Sequence, residues 1–149
     1  MRTRRLLIAL LVLTACGGDG FLAGTRFAFD LRTARARWEN SGIDSYEITV
    51  RRICFCLLTD PVRIVVEDGV VVSRTVMTTG QPLATGQAEY YPDVPGLFAI
   101  VDEAMAEADD VDTAFDATYG FPSLINVDWA ADYVDDEVTY RTEGFTARP

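Results

Sequence analysis

The chain has 149 residues, 13 basic against 23 acidic, and a formal net charge of −10. Every basic residue is an arginine and there is no histidine; this removes the usual neutral-pH general base and the commonest neutral metal ligand, so neither a Ser-His-Asp nor a Cys-His centre can be built from this chain alone. An acidic field of this size repels polyanions, which excludes nucleic acid as a partner, and a hydrophobic fraction of 49% excludes wholesale disorder.

The first fifteen residues read as an export signal. Arg2, Arg4 and Arg5 form a basic start, an apolar run follows over residues 6–13, and Leu13-Thr14-Ala15-Cys16 closes it. The run is too short to span a bilayer, which takes about 20 residues. Leu-Thr-Ala-Cys resembles the lipobox of bacterial lipoproteins, so residues 1–15 are expected to be removed and Cys16 to carry the lipid. Several acyl chains on one residue anchor stably where one alone is marginal. Losing three arginines with the signal leaves ten against 23 acids, a net charge near −13.

Residues 16–25, with four glycines, read as the lipidated cysteine and a flexible tether. Phe27, Leu31, Ala34 and Trp38 recur at helical spacing, and Asn40-Ser41-Gly42 supplies a stop. Tyr46, Ile48 and Val50 alternate with Glu47, Thr49 and Arg51 as a half-buried strand does. The β-branched runs 62–67 and 70–76 flank Asp68-Gly69, a strong short hairpin signal, because both central residues take positive φ. Residues 78–96, with three prolines, read as a long loop. Leu97, Ile100, Val101, Ala104 and Ala108 then make the apolar stripe of a second helix. Thr113, Phe115, Ala117 and Tyr119 predict a strand, Gly120-Phe121-Pro122 a turn, and Ile125, Val127 and Trp129 the next strand. After an acidic loop over 132–136, Val138, Tyr140 and Thr142 alternate in a last strand.

The expectation is a single α+β domain over residues 26–149. Its order is αβββ-αβββ, with an antiparallel sheet of about six strands and two helices on one face. The two halves share element order, which admits a distant internal duplication.

With the elements placed, the chain resembles an uncharacterised bacterial family of secreted or lipid-anchored proteins, a domain of unknown function. The resemblance rests on Trp38, Ser45-Tyr46, Cys54-Phe55-Cys56 and Val65-Val66-Glu67-Asp68-Gly69. It continues through Leu97-Phe98, Tyr119-Gly120-Phe121-Pro122, Asp128 and Asp136-Glu137. It implies export or lipid anchoring and brings no catalytic residues. In architecture alone the chain is also similar to β-lactamase-inhibitor-like and outer-membrane assembly lipoproteins, which bind proteins through an exposed sheet; such a likeness assigns no function.

Cys54 and Cys56 are the sharpest chemical feature. Outside the cytoplasm two nearby cysteines are usually oxidised, yet residues i and i+2 of a regular strand stand about 6–7 Å apart, too far for an unstrained bond. A Cys54–Cys56 disulfide therefore needs a bend, and Asp60-Pro61 shows the strand ending nearby. A structural staple is favoured over a redox site, since no Cys-x-x-Cys precedes a helix. Two thiolates also lack the further ligands a metal needs. The acidic stretch 109–112 and the acids between Asp128 and Glu137 do not match a calcium loop and read as solvated charge. Candidate binding-surface residues are Tyr119, Phe121, Trp129, Arg51 and Arg52. Together these features predict an exported protein, anchored to a bacterial cell or outer membrane through lipid on Cys16. Its domain is expected to be a non-catalytic binding or assembly module with an envelope protein partner and no cofactor. The alternative is a thiol-redox or metal-responsive protein using Cys54 and Cys56.

Overall fold

The computed structural model describes residues 19–148; the export signal over 1–15 and the lipidation site Cys16 lie outside the described residues. The chain runs α1 (Asp19–Ser41), β1 (Tyr46–Cys54), β2 (Val62–Glu67), β3 (Val70–Val76), a 3-10 helix (Thr85–Tyr90), α2 (Val94–Glu107), β4 (Asp110–Phe115), β5 (Pro122–Asp128) and β6 (Val138–Ala147). The fold is α+β. Its six strands form one open antiparallel sheet in the order β3-β2-β1-β6-β5-β4.

The period-2 pattern of the strands puts alternate side chains into one core. Tyr46, Ile48 and Val50 of β1, Val62, Ile64 and Val66 of β2, Ile125 and Val127 of β5, and Val138 and Tyr140 of β6 are buried together. The cluster also holds Leu31 and Trp38 of α1 and Val94, Leu97, Phe98, Val101 and Ala104 of α2. Trp38 stands edge-on to Tyr46 and to Phe121, with ring centroids 5.3 and 6.2 Å apart, which ties the end of α1 to the start of β1. Asp68 and Gly69 take φ of 50° and 75° in the β2–β3 hairpin, as the sequence predicts. Asp93 caps α2 by accepting from the Gly96 amide at 3.0 Å, and the Tyr46 hydroxyl accepts from the Val94 amide at 3.1 Å.

Four expectations are corrected. The tether is helical from Asp19 on; once a helix is nucleated each added residue gains a hydrogen bond. The stretch read as a long loop closes early, through a Thr75–Pro82 bridge and the 3-10 helix, and α2 starts at Val94. The strand read over Thr113, Phe115, Ala117 and Tyr119 instead spans Asp110–Phe115, so Asp110 and Asp112 belong to a strand, with their side chains exposed. The Asp116 carboxylate accepts from the Thr118 and Tyr119 amides, and this Asx turn stops the strand before Ala117. Trp129 likewise falls just past the end of β5.

Each half lays out its three strands in the same order, β3-β2-β1 and β6-β5-β4, and the two abut where β1 pairs with β6.

Candidate functional site

The end of β1 gathers the most unusual chemistry. β1 stops at Cys54, and the chain bends through residues 55–57. The bend brings Cys54 and Cys56 to disulfide distance, with Cα atoms 5.2 Å apart, shorter than the i to i+2 spacing of a regular strand. Cys54 packs against the core while Phe55 and Leu57 point into solvent.

Arg52 holds this bend from behind. Its guanidinium lies 4.7 Å from the centroid of the Tyr90 ring and donates to Cys56 Sγ at 3.6 Å. Burial pushes the Tyr140 hydroxyl above the usual phenol range, and the adjacent Arg52 charge partly offsets that rise. Arg52 therefore faces inward, against its expected role on a binding surface.

Arg51 has the opposite orientation. It alternates with the buried residues of β1 and lies on the face of the sheet turned away from the core, directly opposite Arg141 of β6. Arg63 shares that face but is 3.8 Å from Glu47. Arg51 and Arg141 have no ion-pair partner among the described residues. The sequence shows both arginines, but their juxtaposition depends on the β1–β6 register, which local pattern does not encode.

The aromatic candidates do not converge. Phe121 is core, 4.6 Å from the Phe145 ring, and Tyr119 packs half-buried on Phe145 at 5.1 Å. Phe121 precedes β5 and Trp129 follows it, so the two lie at opposite ends of that strand. Phe145 joins the cluster from the last strand, a contact made through β1–β6 pairing.

Asp128, Asp136, Asp109 and Asp110 crowd the end of β5. One oxygen each of Asp128 and Asp136 is shut off from solvent without a hydrogen-bond partner. Local desolvation first, and then the charges of Asp136, Glu137, Asp109 and Asp110, push the Asp128 carboxyl above its ordinary value. No group of three or more Cys, Asp or Glu among the described residues is placed to hold a metal ion. No described helix is long and apolar enough to cross a membrane.

A family model described as a family of unknown function, DUF6174, matches residues 30–147. The chain belongs to that family. The match takes in α1 from Asp30 onward and all six strands, so the DUF6174 domain includes both Arg51 with Arg141 and the Cys54–Cys56 bend. No curated protein and no solved structure matches the chain.

Proposed function

We propose that the chain is an exported, lipid-anchored envelope protein whose DUF6174 domain is a non-catalytic binding module, docking a carboxylate-bearing protein surface on the sheet face opposite the core. The supporting observation is the Arg51–Arg141 pair. Like charges directly opposed in a sheet lower stability. A chain with 23 acids had partners to offer each guanidinium, and a local rule broken without visible compensation is where function is expected. Two guanidinium forks side by side suit bidentate recognition of carboxylates.

The test places a photoreactive residue on that face by Thr49→p-benzoylphenylalanine in the full chain and irradiates intact envelopes. A single adduct that disappears on Arg51→Glu with Arg141→Glu supports the reading. An adduct that persists through both charge reversals overturns it.

A second reading is favoured by one contact, Arg52 to Cys56 Sγ. An external thiolate attacking Cys54 Sγ forms a mixed disulfide and expels Cys56 as a thiolate. A guanidinium at that sulfur stabilises the thiolate and makes it the better leaving group. On this reading Arg52→Gln needs a higher thiol-to-disulfide ratio for half reduction, read by alkylation and intact mass. An unchanged midpoint leaves Cys54 and Cys56 as a staple.

A further inference from the structure

Five large apolar side chains stand in solvent at one end of the sheet. Leu57 is 101% exposed, Val134 87%, Phe55 83%, Tyr133 72% and Ile53 48%. Cys54 pairs with Val138, so the bend after β1 and the loop before β6 leave the sheet at the same end. The bend is held by Arg52 on Cys56 and by the packing of Cys54 against the core. The loop is held by the Ala131 amide, which donates to Asp109 at 2.8 Å. Apolar groups on restrained backbone in a strongly acidic chain are an exposed patch that calls for an occupant.

The start of α1 reaches the same end. Trp38, near the helix C-terminus, lies on Tyr46 at the opposite end of β1. Ala28 and Leu31, further back along α1, face Met105 and Ala106 near the end of α2. Asp109 follows α2 and is the residue bonded to Ala131 in the apolar loop. Asp19 precedes Ala28 by nine residues, about 14 Å of helix. Cys16 stands three residues before Asp19, at most about 11 Å of extended chain. α1 thus begins toward the pole that carries Phe55, Leu57, Tyr133 and Val134, three residues after Cys16 in the sequence.

We infer that this end is seated in the surface of the bilayer that carries the lipid of Cys16, an inference that rests on the lipid-anchor reading above. The occupant is lipid because the anchor and the apolar end share one pole of the molecule. A tyrosine among aliphatic and aromatic side chains suits the headgroup boundary, where one end of the ring is apolar and the other wet. Asp132, Asp135 and Asp136 lie in the same loop. Their charge stops immersion at the headgroups and disfavours anionic lipid. Seating this end leaves the Arg51–Arg141 face at the side of the domain, free for a partner.

The full chain, purified from membranes and reconstituted in phosphatidylcholine vesicles, carries p-benzoylphenylalanine in place of Leu57, of Val134 or, at the far hairpin, of Asp68. The same samples give the mass of the N-terminal peptide. Lipid adducts several-fold above the Asp68 position at both Leu57 and Val134, falling when anionic lipid is added, support the inference. So does loss of the Val134 adduct in the Phe55→Asp, Leu57→Asp variant. A lipidated Cys16 with no excess of lipid adducts, or with adducts to a second copy instead, overturns the seating and leaves the anchor intact. An unmodified Cys16 overturns the anchor and the seating with it.

Discussion

At Gly120 the backbone takes φ +84°, and a Cβ built there would lie 2.2 Å from the Ala34 carbonyl oxygen and 3.0 Å from Arg37 Cβ. Gly69 has a similar φ of +75° but nothing within 4 Å, so the two glycines separate backbone strain from close approach. Gly69→Ala is expected to cost about 1 kcal/mol, the left-handed penalty alone. Gly120→Ala adds the displacement of α1 from the sheet and is expected to cost about 3 kcal/mol; urea denaturation of the two variants measures the difference. Asp128 gives a prediction of a different kind. Its folded pKa lies above the ordinary 3.8 because of local desolvation and then its acidic neighbours, so ionising it opposes folding. That cost is full at neutral pH, where the carboxylate is charged in both states. It fades as pH falls through the raised value and is gone below 3.8. Asp128→Asn should therefore melt higher than the parent at pH 7, with the gain shrinking toward zero in acid. A gain independent of pH would mean that amide packing, and not charge, is responsible.

At the scale of elements, the opposed arginines of β1 and β6 give the sheet one unfavourable pair in its central ladder. Arg51→Glu turns that pair into an attractive one and is expected to stabilise the domain by about 0.5 kcal/mol while abolishing the proposed docking. Urea midpoints and crosslinking read on the same variant separate the two effects, and a loss of both would mean that Arg51 is structural. The elements also show what local pattern can and cannot specify. The Asp68-Gly69 hairpin and the apolar stripe of α2 were legible because their signals are contained within a few residues. The frame of β4 was not. Thr113 and Phe115 were placed on a strand, but its end is set by the Asp116 side chain turning back on the Thr118 and Tyr119 amides. The Cys54–Cys56 bend could be foreseen from strand geometry, whereas the inward turn of Arg52 onto Tyr90 depends on the 3-10 helix that the prolines around it concealed. The alternation of β1 showed which way Arg51 pointed; what stood opposite it required β6.

Over the whole molecule, the order β3-β2-β1-β6-β5-β4 makes the first and last strands of the chain the central pair of the sheet. Each half supplies three consecutive antiparallel strands, and within the sheet the halves meet only where β1 lies against β6. That contact closes a loop of about a hundred residues, since Tyr46 is in register with Ala147 and Glu47 with Thr146. Such long-range pairing is slow to form because its entropy cost precedes its reward. The end of β6 also delivers Phe145 to the rings of Trp38, Tyr46, Tyr119 and Phe121. A chain ending at Thr142 would lose that aromatic contact and the β6 pairing of Tyr46, Glu47 and Thr49 together. It is expected to lose its cooperative thermal transition and its near-ultraviolet circular dichroism, since within the sheet the halves then share only part of one ladder. A chain ending at Ala147 provides the contrast. It lacks the two Arg148 ion pairs, with Glu47 at 2.7 Å and Glu67 at 3.8 Å, and the Arg148 amide's bond to the Ser45 carbonyl at 2.8 Å, and loses about 1–2 kcal/mol. Were the chain ending at Thr142 to melt as sharply as the parent, the junction would be held by the helices and core, and β1–β6 pairing would be a consequence of their packing.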